Sequence, residues 1–248
     1  MNQMAEHLTY PNAPITEAII DLRVELPRNV GLDRLQRLQE GEKAAYPHSE
    51  QLNVALGKMQ VGPQVTTSAT TRAVGFLFRS TDLKQVCQVR LDGFTMSRLT
   101  PYERWEPFRD EARRLWDVYR KAVEPCEIGR VAVRYVNRID IPLPIGDFGE
   151  YLRTVPEVSS DLPQGLAGYF MHLVIPLSDI NCLCVLNEAI VEPTAANVVS
   201  VVVDIDVFRT ANLPDDEDGL WSLFEELRVR KNSVFEACIT DKARELFK

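Results

Sequence analysis

A helix that is apolar along one side only is stable when that side packs against another layer of the protein. The middle of the chain has such a segment. Its apolar residues recur every three or four positions, at Trp105, Phe108, Ala112, Leu115, Tyr119 and Ala122. This spacing predicts a long helix that ends before Pro125. The helix either starts at Pro101 and kinks at Pro107, or becomes regular only near Trp105.

The sequence predicts that the layer beneath this helix is a β-sheet. Ile15–Leu26 and Ile128–Ile141 alternate between apolar and polar residues, the period of a strand buried on one side. In the first half, Thr71–Arg79 and Lys84–Met96 are β-like runs whose connections are too short for parallel crossovers, which favours antiparallel pairing. The second half repeats this plan with predicted strands at Tyr169–Leu177, Asn181–Val191 and Asn197–Arg209.

The two halves of the chain follow the same plan at a constant offset. Pro142, which ends the second alternating strand, lies 115 positions after Pro27, which ends the first. The same offset moves five of the six apolar helix positions onto residues that suit a second buried stripe. We therefore predict an α+β fold of two tandem helix-grip-like halves, each an antiparallel sheet with a long C-terminal helix. This element order resembles that of the TATA-binding-protein fold.

The predicted boundaries follow from this plan. Residues 1–14 form a flexible N-terminal arm, residues 15–125 the first half and residues 126–248 the second half. We expect the two halves to pack as one compact unit.

Composition narrows the classes of function. The 248 residues carry a formal net charge of −8 at pH 7, which repels phosphate backbones over the molecule as a whole and argues against a nucleic-acid partner, although it does not exclude a local basic face. The first 14 residues lack the apolar core of a secretory signal, and no apolar run is long enough to span a membrane. The five cysteines are odd in number and scattered, which favours reduced thiols and a cytoplasmic location. Cys182 and Cys184 have no companion ligands for zinc, so neither a metal nor a cofactor is predicted.

Polar side chains on the strands of the second half are the candidate ligand-binding residues. They are Arg130, Arg134, Asn137, Arg138, Asp204 and Asp206. Alternation places the three arginines on one side of their strand, where they could bind carboxylates or phosphates through paired hydrogen bonds. The simpler interpretation is a solvated sheet face with cross-strand ion pairs, or a buried structural network. Asp204 and Asp206 could bind a divalent cation, but they lack a recognisable third ligand.

No catalytic motif appears in the sequence. It contains no serine-hydrolase elbow, phosphate loop, dinucleotide fingerprint or zinc-protease motif, and only three histidines. The leading hypothesis is a non-enzymatic binding or assembly protein that acts with a protein partner or as a homo-oligomer. The alternative is a phosphate-handling (nucleotide) enzyme that uses the charged sheet face with a divalent metal.

Four segments carry a resemblance to a known family. They are YPNAPITEAIIDLRVEL, LTPYERWEPFRDEARRLWDVY, GRVAVRYVNRIDIP and VFEACITDKARELF. In this order they resemble a sporadically distributed family of uncharacterised bacterial proteins. The resemblance implies neither an activity nor a ligand. The patchy distribution of this family among bacteria suggests that its genes belong to mobile loci of the defence or toxin–antitoxin type.

Overall fold

The computed structural model describes residues 10–60, 66–124 and 126–248. The strands are β1 (Ile15–Glu25), β2 (His48–Gln60), β3 (Thr66–Arg79), β4 (Gln85–Arg90), β5 (Gly93–Leu99), β6 (Glu127–Pro142), β7 (Phe170–Leu177), β8 (Cys182–Val191) and β9 (Val198–Arg209). The helices are α1 (Leu32–Glu42), α2 (Trp105–Val123), α3 (Glu217–Cys238) and α4 (Asp241–Glu245). The predicted run Lys84–Met96 is two strands, because the chain turns back between Arg90 and Gly93.

The strands form a nine-stranded sheet in the order β2-β3-β4-β5-β1-β6-β9-β8-β7. The pairings β2–β3, β3–β4, β4–β5, β6–β9, β8–β9 and β7–β8 are all antiparallel. The predicted α+β class with an antiparallel sheet is therefore confirmed. The internal duplication and the TATA-binding-protein-like order stay predictions.

The chain divides into two compact units whose limits lie inside β1, β5 and β6 and directly before α2. Of the described residues, unit 1 contains 10–19, 99–103 and 131–248, and unit 2 contains the remainder. Residues 1–9 of the predicted arm, and Pro125 at the predicted boundary of the halves, lie outside the described residues. In the rest of the arm, Tyr10 Oη donates to Glu236 at 2.9 Å and the Asn12 N–H donates to the Phe247 carbonyl at 3.0 Å.

Unit 2 shows how the helix stripe is buried. α2 begins at Trp105, so Pro107 lies in the first turn, where an N–H would have no intrahelical partner. The second of the two predicted starts is therefore correct. The buried side chains of α2 are Trp105, Phe108, Ala112, Leu115, Trp116, Tyr119 and Val123. Trp116 makes the stripe wider than predicted, and Val123 ends it in place of Ala122.

The sheet of unit 1 has two different faces. Paired residues of antiparallel strands point to the same side. The register therefore places the even-numbered residues of β6, β7 and β9 with the odd-numbered residues of β8 on one side, which we call the open face. The opposite side, the helix face, packs against α3. Its central residues Val201, Val203 and Ile205 are fully buried.

None of the helices in the described part of the chain is both long enough and apolar enough to cross a membrane.

Candidate functional site

A chain of hydrogen bonds crosses the open face from β6 to β7. Arg134 donates to Asp204 through two parallel bonds, Nε to Oδ1 and Nη2 to Oδ2, each 2.7 Å long. Asn187 Nδ2 donates to the same Oδ2 at 3.1 Å. Asn187 Oδ1 lies 2.7 Å from His172 Nδ1. Four neighbouring strands thus each contribute one polar side chain to a single network.

In the Arg134–Asp204 ion pair the carboxylate is buried and the arginine is partly exposed. The side chain of Asp204 is 8% exposed, whereas that of Arg134 is 44% exposed. The hydrogen bonds to Asp204 raise the pKa of Arg134, although burial opposes this change. Asp204 therefore holds a permanent cation in place, and much of the charge of Arg134 is already compensated by its own chain.

Arg138 belongs to a second cluster, which fixes the loop before β9. Its Nε donates to Asp140 Oδ1 at 3.3 Å and its Nη2 to Ser200 Oγ at 3.1 Å. Burial would raise the pKa of Asp140, but hydrogen bonds from Ser200, Thr194 and Arg138 hold it below its usual value. Arg138 also donates to the Glu192 carbonyl. These contacts give Arg138 a structural role.

Arg130 lies in unit 2 and has a different carboxylate partner. Its Nη1 donates to Asp21 Oδ2 at 2.9 Å. The other oxygen of Asp21 accepts hydrogen bonds from Thr95 at 2.6 Å and from Arg90 at 3.4 Å. Arg130 is thus part of a cross-strand network around a buried aspartate, four residues away in sequence from Arg134.

Asn137 and Asp206 complete the predicted set. Asn137 is buried on the helix face, and its Nδ2 donates to the backbone carbonyl of Val203 at 3.0 Å. Asp206 lies on the open face opposite Arg134, and its charge also raises the pKa of that arginine. The structure therefore brings together Arg134, Asp204 and Asp206. It places Arg138 in a separate cluster and Asn137 on the other side of the sheet.

Beside the network, the open face has a depression of about 330 Å³. Arg134, Phe170, Asn187, Ala189, Val202 and Asp204 are among its lining residues. The small side chains of Ala189 and Val202 line the depression beside Phe170, whose residue surface is 71% exposed. Sequence reasoning missed Phe170 and Asn187. The only available signal was an aromatic residue at the start of an apolar strand.

Among the strands that the structure describes, β7 pairs only with β8 and therefore lies at the edge of the sheet. The Ile190 N–H donates to the carbonyl of Tyr169, directly opposite it in the register. Since hydrogen-bonded pairs alternate along an antiparallel ladder, Met171, Leu173 and Ile175 face β8 with their backbone groups. The backbone groups of Phe170, His172, Val174 and Pro176 point away from the sheet. Pro176 is consistent with this assignment, because proline lacks an N–H and an outward position donates no hydrogen bond to β8.

The outward backbone groups of β7 are available for pairing. Within the described residues, the N–H groups of Phe170, His172 and Val174 make no hydrogen bond. The apolar side chains on the edge are exposed as well, with Val174 at 54%. Natural proteins usually protect such edges with charged residues, bulges or covering segments. The edge of β7 carries no acidic or basic residue apart from His172.

Two buried titratable groups lie on the helix face. Burial raises the pKa of Glu188 to about 7, and Tyr169 Oη donates to its Oε1 at 2.5 Å. Burial lowers the pKa of Lys231 to about 7, and its Nζ lies 3.5 Å from the centroid of the Tyr135 ring. Both groups are nearly inaccessible to solvent. Burial within the protein, and not a ligand, therefore accounts for the shifted pKa values of both groups.

No group of three or more His, Cys, Asp or Glu side chains in the described residues is arranged to hold a metal ion. Comparison with models of known protein families and with curated proteins finds no match to this chain.

Proposed function

We propose that this protein is a non-enzymatic binding or assembly protein, and that it engages a protein partner through the exposed edge of β7. The observation that carries this proposal is the row of outward N–H and C=O groups on Phe170, His172 and Val174. An extended segment added to such an edge gains backbone hydrogen bonds from the ladder and specificity from alternate side chains.

The side chains of the edge support the same function. Phe170 and Val174 stand on the open face at alternate positions, separated by His172. Both are largely exposed. An incoming strand would remove this apolar surface from water, at roughly 25 cal/mol per Å². Because His172 is held by Asn187, the surface between the two apolar residues is already ordered.

The alternative of a phosphate-handling enzyme has weaker support. Each candidate arginine forms an ion pair with a carboxylate of its own chain: Arg130 with Asp21, Arg134 with Asp204 and Arg138 with Asp140. A phosphate group would have to compete with these carboxylates for the same donors. The protein-binding proposal requires no such rearrangement.

The test is capture of partners from the native host with Val174→Lys and a matched control. Lysine at an exposed edge position opposes strand addition. Val229→Lys makes the same change at an exposed valine of α3. We expect a protein retained by the wild type and by Val229→Lys to be lost with Val174→Lys. Equal recovery with both variants, or no specific partner including the chain itself, would argue against the proposal.

Hydrogen exchange provides a second measurement. In the free protein, the outward amides of Phe170, His172 and Val174 should exchange quickly, whereas those of Met171, Leu173 and Ile175 should be protected by β8. Partner binding at the edge should slow the first set selectively. Protection confined to other parts of the protein would place the binding surface elsewhere.

A further inference from the structure

We infer that the strand added to β7 is β7 of a second copy of this chain, paired antiparallel about a two-fold axis at His172. This inference rests on the proposed function and names its partner. The resulting assembly would join two sheets edge to edge through one symmetric pair of strands.

The backbone of β7 is complementary to itself in this register. With His172 on the axis, Phe170 lies opposite Val174 of the second copy, His172 opposite His172, and Val174 opposite Phe170. All these residues point their N–H and C=O groups outward, so each of the three pairs can exchange two hydrogen bonds. Pro176, which lacks an N–H, lies beyond the last pair and closes the ladder without interrupting it.

The side chains are complementary in the same register. On the open face, Phe170 meets Val174 of the second copy twice, once on each side of the axis. Aromatic residues opposite β-branched residues are favourable cross-strand pairs. On the other face, Met171 meets Leu173 of the second copy in the same symmetric way. The strand sequence FMHLVIPL contains no Asp, Glu, Lys or Arg, so self-pairing brings no such charges together.

The other edge of the sheet is different. β2 carries Glu50, which pairs with Arg79 at 3.9 Å, and its first six residues are mostly polar. A charged residue on an edge is a usual defence against pairing with another copy. The contrast favours self-association through β7 and not through β2.

The expected dimer is weak. Pairing two short strands buries less surface than a standard interface of about 1,600 Å². Each copy also carries a net charge of −8, which opposes approach at low ionic strength. We expect dissociation constants in the micromolar range, with tighter association when salt is added.

The experiment is sedimentation velocity on the purified full chain over a concentration series of about 1 to 100 µM, the range of weak interfaces. The wild type should show a reversible monomer–dimer equilibrium. Val174→Lys should weaken it at least about tenfold, since the lysine opposes strand pairing, while Val229→Lys should leave it within about twofold. A dimer equally stable in both variants would overturn the inference.

A second variant tests the register. In an antiparallel hydrogen-bonded pair the Cα atoms are about 5.5 Å apart, which a disulfide can bridge. His172→Cys should therefore form a covalent dimer under mild oxidation, whereas the wild type, with its native cysteines, should not. Absence of this crosslink in a dimerising protein would overturn the proposed axis.

The two proposals fail in different ways. A wild type that stays monomeric throughout the series, but still captures a host protein in a Val174-dependent manner, overturns the second-copy inference and leaves the proposed function intact. A monomer that captures nothing overturns both.

Discussion

Lys231 on α3 is buried and forms no ion pair within the described residues, and its replacement by methionine is expected to stabilise the protein. Its residue surface is 4% exposed, and its Nζ lies 3.5 Å from the centroid of the Tyr135 ring. Desolvation lowers the pKa of this lysine from 10.5 to about 7; repulsion from Arg228 lowers it further, and attraction to Glu236 opposes part of the shift. Methionine has a similar shape and no charge to desolvate.

The magnitude follows from linkage between folding and protonation. In the unfolded chain Lys231 keeps its proton up to about pH 10.4, whereas in the folded chain it releases the proton near pH 7. Between these values the unfolded state binds more protons, so the free energy of unfolding rises with pH. The full shift corresponds to at most about 5 kcal/mol, at 1.36 kcal/mol per pH unit. Part of this is offset by the cation–π contact, so we expect Lys231→Met to stabilise the protein by about 1–4 kcal/mol at pH 7.

Urea unfolding at pH 7 and pH 9.5 is the assay, with the wild type, Lys231→Met, Lys231→Ala and Lys121→Met compared. The advantage of Lys231→Met should shrink at pH 9.5, where the wild-type lysine is neutral in the folded state. Lys231→Ala should lose the same pH dependence but also lose packing, at roughly 2–4 kcal/mol. Lys121, on the exposed side of α2, controls for the change in net charge. A Lys231→Met protein that is less stable than the wild type at pH 7, with an unchanged pH slope, would refute this reasoning.

Three further predictions follow from the contacts described above. Burial raises the pKa of Glu188 to about 7, so the folded state binds this proton more tightly than the unfolded state and the wild type loses stability as the pH rises through 7. Glu188→Gln should remove this loss. Thermal melts of both proteins at pH 5 and pH 8.5 measure it, and the same change in melting temperature with pH in both would contradict the prediction. Arg134→Ala should destabilise by about 1–3 kcal/mol, because it leaves Asp204 buried without its main partner. Adding Asp204→Asn should recover part of the loss in a double-mutant cycle, and strict additivity would show that the pair is not coupled. Gly75→Ala should cost at least about 1–3 kcal/mol in chemical unfolding, since its Cβ would lie 2.2 Å from the Val89 carbonyl oxygen, and Gly129→Ala, with open space around the Cβ, is the matched control.

Periodicity predicted the element types well because each strand and helix buries one side against a neighbour. The alternation in β6 correctly separated Arg134 from Tyr135, and the spacing in α2 identified most of its buried residues. Neither the alternation in a strand nor the spacing in a helix determines the order of the strands in the sheet. Asn187 and His172 join the Arg134 network from β8 and β7, and their partnership depends on a register that only the folded sheet provides. For the same reason, Arg130 and Arg134 look equivalent in sequence but meet carboxylates of β1 and β9 respectively.

The arrangement of charges explains why an interaction surface is better sought at the edge than among the arginines. Arg134 and Arg138 already form ion pairs with Asp204 and Asp140. An anionic ligand would therefore have to replace a native carboxylate, and its binding free energy would be reduced by the cost of breaking that ion pair. The outward N–H groups of Phe170, His172 and Val174 have no competing partner in the described part of the chain except water. A strand added there would be stabilised both by backbone hydrogen bonds and by burial of the neighbouring apolar side chains, and no existing ion pair would have to break. For these reasons we propose binding of a partner strand at β7 and not of an anion at the polar network beside it.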